Sequence, residues 1–252
     1  TALEADGQKQ AAWRTDPVLA GAAGCLGDIG THAYQLACFV SGLQASEVSA
    51  ELSAFVPGRT LDDNVQAMLR FPGGVRGSLW ASQVASGSVN GLHLRVYGEL
   101  GSIAFSQEQP DTLWLKRTGG EEARLWRGRT PHGPSETVRV PAGHPEGFIE
   151  AFAQIYRDAA TVIRAHQAGH PVPLAASDLT TVQDGVAGLA FVEAVLQSSA
   201  SNGQWTAVPA TVSAATYIGR NAFVARLRTA TGGRMSSINV GEFLRSRGVT
   251  RR

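Results

Sequence analysis

Residues 64–84 read NVQAMLRFPGGVRGSLWASQV. Apolar and polar side chains alternate on either side of Pro72-Gly73-Gly74, the pattern of two strands joined by a tight turn. Outward from this hairpin, the same period of two runs through 48–56, 92–97, 102–105, 112–116 and 136–140, with 98–101 as a second short connection. Six or seven strands on short connections predict a largely antiparallel sheet. Beyond them the period changes. Ile29, Ala33, Leu36, Ala37 and Val40 recur at helical spacing within 28–41, and Gly42 is placed to stop that helix. Downstream, Phe148, Phe152, Ile155, Ala159, Val162 and Ile163 form the stripe of a helix that opens at Pro145 and ends before Gly169. Ser177 is expected to cap a third helix running to about 198, with Leu179, Val182, Val186, Leu189, Val192 and Leu196 inside. One helix, a run of strands and two further helices predict an α+β domain over 1–208, a large mainly antiparallel sheet with helices on one face.

Composition narrows the classes. The 252 residues are 43% hydrophobic and 17% charged, which is globular rather than disordered. A net charge of +1 offers no bulk attraction for nucleic acid or membrane. No apolar run reaches membrane-spanning length, and 1–10 lack a signal-peptide core. The first residue is not Met, so the chain is expected to begin partway through a longer protein. Cys25 and Cys38 make neither a disulfide framework nor a zinc spacing, and as buried thiols they fit a reducing, cytoplasmic compartment. From 209 to 252 there are eight arginines against one acidic residue, Glu242. That segment carries +7 and the rest −6. It reads as a basic Ala/Thr/Arg-rich tail of uncertain structure, either a binder of anionic partners or sequence unrelated to the domain.

The chemistry concentrates in Gly24-Cys25-Leu26-Gly27-Asp28-Ile29-Gly30-Thr31-His32. Asp28 and His32 are four apart at a helix start and so share one face. A carboxylate there sits in the favourable field of the helix N-terminus and can orient the imidazole. Glycines at 24, 27 and 30 permit a close ligand approach. The arrangement suits removal of a hydroxyl proton, with His32 as general base and Asp28 as its partner; a capping Asp beside a surface histidine is the plainer alternative. For Arg14, next to Trp13, two readings stand: a substrate contact, or a clamp where the entry loop meets the sheet. His144 and Glu146 either line the same cleft or simply open the second long helix. His93 lies in a strand pattern and is a further substrate-binding candidate. His132, His166 and His170 read as exposed. No metal site is expected, because no dense ligand motif occurs. Neither G-x-G-x-x-G nor G-x-x-x-x-G-K-[ST] occurs, so no dinucleotide or nucleotide cradle is expected within this chain.

Several segments together resemble the Gfo/Idh/MocA oxidoreductases. They are Gly27-Asp28-Ile29-Gly30-Thr31-His32-Ala33 with Leu36-Ala37 and Val40-x-Gly42, and Trp13-Arg14-x-Asp16-Pro17. Others are Asp62-Asp63-Asn64 with Leu69-Arg70-Phe71-x-Gly73-Gly74, and Tyr97-Gly98-x-x-Gly101-Ser102. His144-Pro145-Glu146-Gly147-Phe148 with Glu150-Ala151-Phe152, and Gly203-x-Trp205, complete the set. The resemblance covers roughly 10–208 and implies the C-terminal, substrate-binding half of an enzyme that moves a hydride between a sugar or polyol alcohol and NAD or NADP. It implies His32 as catalytic acid/base and Asp28 as its substrate-binding partner; Trp13, Arg14, His93, His144 and Glu146 stand beside them as substrate-binding candidates from the residues themselves. It also implies a homo-oligomer built through the open sheet face. The family's lysine lies in an E-K-P segment; Lys9 and Lys116 do not, so that lysine and the nucleotide-binding half are expected outside this sequence. Gln35 stands where the family often has Asp. A truncated sugar-binding or oligomerisation module without catalysis is the alternative reading.

Overall fold

The alternation at 64–84 becomes β2 (Asn64–Arg70) and β3 (Arg76–Ser82), paired antiparallel with Arg70 opposite Arg76. Gly73 and Gly74 take φ of 73° and 82°, a left-handed conformation that glycine adopts without strain. In the computed structural model, residues 12–129, 138–173, 176–177, 179–211 and 235–243 are described. The further strands are β1 (Glu47–Ser53), β4 (His93–Gly98), β5 (Gly101–Ser106), β6 (Thr112–Arg117), β7 (Glu122–Trp126), β8 (Thr206–Ala207) and β9 (Met235–Phe243). They form one sheet in the order β7-β6-β5-β4-β9-β3-β2-β1-β8. Its neighbours are antiparallel throughout except β3 and β9, which run parallel.

The helices are α1 (Pro17–Ala20), α2 (Thr31–Ser41), α3 (Phe148–Gln167) and α4 (Val182–Ala200). Alternate strand residues Val65, Ala67, Leu69, Leu79, Ala81, Leu94 and Val96 are buried on one face, where α2 and α4 supply Ala33, Ala37, Phe191 and Val195 to a common core. Tyr34 and Phe191 stack with ring centroids 3.8 Å apart, joining the two helices. Ser198 of α4 accepts from the Ala50 N–H of β1 and donates to the Gln204 carbonyl, so α4 is also held to the sheet by hydrogen bonds. No helix among the described residues is long and apolar enough to cross a membrane.

Several boundaries differ from the sequence reading. Val138 to Val140 make no strand; the N–H groups of Arg139 and Val140 instead go to the Glu146 carboxylate, while 130–137 lie outside the described residues. The short charged stretch Glu122–Trp126, which the reading passed over, is β7 and pairs with β6. The long helix begins at Phe148, not Pro145, because Glu150 reaches back to accept from the Gly147 N–H. The last helix begins at Val182, not near Ser177, because Thr181 and Asp184 form its capping box. The tail read as an appendage supplies β9, whose backbone joins β3 on one side and β4 on the other; 212–234 and 244–252 lie outside the described residues.

The α3 helix is amphipathic in the inverse sense. Its stripe of Phe148, Ile149, Phe152, Ile155, Tyr156 and Ile163 is exposed. Gln154, Asp158, Thr161 and Ala165 are its more covered side.

Candidate active site

The sequence around Asp28 folds as it does because a second carboxylate organises it. Asp62, in the connection before β2, accepts from the Gly24 N–H at 2.6 Å and the Leu26 N–H at 2.7 Å, and its carbonyl takes the Cys25 N–H at 2.8 Å. Three of the N–H groups that a helix start leaves without partners are thereby satisfied by one residue. A Cβ on Gly24 would stand 2.2 Å from the Asp62 carbonyl oxygen, so only glycine lets the two segments approach this closely. Burial pushes the Asp62 carboxyl above its ordinary range, and the backbone donors pull against that shift. Burial likewise drives the Cys38 thiol up to about 12 and the Cys25 thiol further, so both are held as unreactive thiols.

From this anchored start the chain makes a π-helical turn, Leu26–Gly30, before α2, with the Thr31 N–H reaching back to the Leu26 carbonyl. Such turns are rare, and they are found where a side chain must be re-aimed at a functional site. Asp28 lies in it. Arg14 Nε stands 3.2 Å from one Asp28 oxygen, an ion pair without the angle of a hydrogen bond, and Gln83 Nε2 donates to the other at 3.1 Å. The Asp28 side chain keeps 26% of its surface exposed and that of Arg14 37%. The Arg14 guanidinium lies 5.2 Å from the Trp13 ring, which is itself half exposed. His32, one turn beyond, is exposed on α2, and Gln35 on the following turn donates to the Thr180 hydroxyl. Trp13, Arg14 and Asp28 are therefore a connected group, and His32 adjoins them in sequence as an exposed side chain.

The other candidates lie elsewhere. His93 opens β4 between buried positions of opposite parity, so it shares the open sheet face with Trp80, away from α2. Glu146 is buried and fully engaged: it accepts from the Arg127 guanidinium and from the Arg139 and Val140 N–H groups. Arg127 also holds Asp111 at 2.6 Å and the His144 carbonyl at 2.7 Å. This cluster fastens the approach to α3 onto the far end of the sheet and separates Glu146 and His144 from Asp28. A groove of about 590 Å³ beside it is lined by Glu108, Asp111, Arg124, Trp126, Phe148 and Glu150. It borders β6, four strands from β3, or roughly 20 Å at the usual strand spacing. Its lining includes neither Asp28 nor His32. His166 and His170 are exposed, and His132 lies outside the described residues. Among the described residues, no three His, Cys, Asp or Glu side chains gather as metal ligands.

Two residues of the site region escaped the sequence reading. Asp62 appeared only as part of a motif, and Gln83 not at all, since nothing in a strand-end glutamine marks it without its neighbours in space.

Residues 2–104 match the family model described as the GFO/IDH/MocA C-terminal domain. The crystal structure of an oxidoreductase from Sinorhizobium meliloti is 42% identical with a TM-score of 0.67, over 72% of this chain and 51% of that one. An inositol dehydrogenase homologue from Azotobacter vinelandii, solved with NADH and myo-inositol, is 30% identical with a TM-score of 0.69, over 78% and 52%. Levoglucosan dehydrogenase of Pseudarthrobacter phenanthrenivorans is 29% identical over 232 residues, 81% of this chain and 56% of that protein. The chain spans about half the length of the curated relatives it matches. By motif, fold and similarity, this chain carries a C-terminal domain of the Gfo/Idh/MocA oxidoreductase family.

Proposed function

We propose that this chain is the substrate-recognition and proton-transfer part of an NAD(P)-dependent oxidoreductase acting on a sugar or polyol alcohol. The observation that carries the reading is the Trp13–Arg14–Asp28 group at a π-helical turn, with His32 exposed one turn further on. A polyhydroxylated ring suits such a surface: an aromatic edge, a cation and a fixed carboxylate offer stacking, donor and acceptor contacts. His32 takes the hydroxyl proton as the C–H electron pair leaves the carbinol carbon, and a C=O bond forms. Asp28, clamped between Arg14 and Gln83, accepts from a substrate hydroxyl and sets its direction. Accepting the hydride is nicotinamide chemistry. The G-x-G-x-x-G turn that cradles a dinucleotide pyrophosphate does not occur in this sequence, and the residues named here act on the substrate alone.

A second role has its own support. The sheet face opposite the helices exposes Met68, Trp80 and Tyr97, and carries Arg70, Arg76 and Arg95 on the same parity. Aromatic residues, Met and Arg are the types enriched where proteins meet. This face is therefore the proposed homo-oligomer interface. Two free buried thiols suit a cytoplasmic setting.

Titration calorimetry with myo-inositol and levoglucosan tests the leading reading. The unsubstituted chain is expected to bind at least one of them, and His32→Ala and Asp28→Asn to weaken that binding about tenfold, near 1.4 kcal/mol. Purified alone, the chain is expected to show no NAD(P)-linked turnover. Equal affinity in all three proteins, or brisk turnover by the isolated chain, would refute the reading.

A further inference from the structure

We infer that Gln83 is a positioning residue for Asp28, the last link of a buried polar chain that aims the carboxylate. The inference rests on the reading of Asp28 and His32 as the reacting pair. Gln83 is only 5% exposed and follows β3 directly, so its side chain leaves the most constrained part of the sheet. Its backbone N–H is taken by the Asp63 carbonyl at 2.8 Å. Its Oε1 accepts from Arg59 Nη1 at 2.9 Å, and that arginine side chain is 2% exposed beside Asp63. Asp63 in turn accepts from the Phe55 and Val56 N–H groups and is fully buried.

The chemistry of the donors fixes the orientation of the amide. A guanidinium can only donate, so the amide oxygen must face Arg59. Nε2 is then the end that meets Asp28, and it does so at 3.1 Å. Were the amide reversed, two donors would meet at Arg59 and two acceptors at Asp28, both buried or half buried. The chain Asp63–Arg59–Gln83–Asp28 therefore transmits a fixed geometry from the loop before β2 to the site. Arg14 Nε, itself buried, stands 3.2 Å from the other Asp28 oxygen. With a donor on one oxygen and a cation beside the other, turning the carboxylate breaks a contact, so it is held in one orientation. Gln83 touches no substrate; it acts through Asp28.

The test reads the Asp28 carboxyl carbon by NMR at neutral pH without any ligand, in the whole chain. The charged groups facing Asp28 are Arg14, His32 on the next turn, Asp62 beneath the helix start, and Arg59 with Asp63 behind Gln83. All are retained. Gln83→Glu keeps shape and the Arg59 contact but presents a carboxylate to Asp28, so the two like charges are expected to lower the melting temperature at neutral pH. Gln83→Met, which keeps bulk and drops the donor, is expected to move the Asp28 carboxyl resonance from its position in the unsubstituted chain. A residue that only fills space leaves that resonance unmoved in Gln83→Met, and that result overturns the inference. If Gln83→Glu fails to fold, the exchange of Gln83→Glu with Asp28→Asn restores an amide facing a carboxylate and is expected to recover most of the lost melting temperature; no recovery overturns it equally. Because no sugar is present, failure of sugar binding leaves this outcome untouched.

Discussion

Asp62, Asp63 and Asn64 are consecutive polar residues, all buried, and each is satisfied by a different element. Asp62 caps the start of the site helix, Asp63 closes the loop at Phe55 and Val56, and Asn64 accepts from the Trp80 indole at 2.8 Å. Burying such groups is tolerated only because each has its partners. The exposed carboxylates behave differently. Glu108 accepts from the Asn90 and Gly91 N–H groups and Glu150 from Gly147, and these bonds hold both carboxyls below the ordinary glutamate range. A folded carboxyl that releases its proton more readily than the unfolded one favours folding at neutral pH, and that contribution fades as pH falls through its folded value. Melting temperature followed from pH 7 into the acid range is therefore expected to fall less steeply in Glu108→Gln than in the unsubstituted chain. An identical acid limb would show that the loop at 90–91 does not depend on the ionised carboxylate.

At the scale of elements, α2, α3 and α4 share a helical pattern but not a role. The α4 residue Phe191 is fully buried against Tyr34, whereas the apolar stripe of α3 is exposed. Phe191→Ala is expected to cost about 3–5 kcal/mol through lost burial and the cavity left behind. Phe152→Ala, on that exposed stripe, is expected to cost under about 1 kcal/mol. Urea unfolding of both variants measures the difference; equal losses would mean that α3 is packed as tightly as α4. The helix starts also show why boundaries shift. A proline at 145 and a serine at 177 were reasonable starts by residue preference alone. The observed starts follow the bonds that Glu150 accepts from the Gly147 N–H and Asp184 accepts from the Thr181 N–H and hydroxyl.

In the whole molecule, β9 joins two groups of four strands. The register places Ile238 opposite Gly77 on β3 and opposite Val96 on β4, and its side chain is buried. A Cβ on Gly77 would lie 2.9 Å from the Ile238 carbonyl, so the strand passes where glycine leaves room for it. Ile238→Pro removes a ladder donor from a central strand and is expected to destabilise the chain by more than about 3 kcal/mol. A melting curve unchanged by that substitution would show that the sheet closes without β9.

The sequence by itself determined the strands from 47 to 117, the turns at 73–74 and 98–101, the α+β class, and the helix-start motif in which Asp28 lies, with Trp13 and Arg14 as candidates beside it. Those features are local: a period of two, a period near 3.6, a glycine at positive φ, and a motif within a few residues. Tertiary structure alone decided which candidates meet. His93 fell on the opposite face by strand parity, Glu146 was claimed by Arg127, and Gln83 and Asp62 arrived at the site from distant segments. It also decided that part of a basic tail belongs in the middle of a sheet, because the edges that β3 and β4 present to a strand exist only once the chain has folded, and no local pattern in residues 235–243 records them.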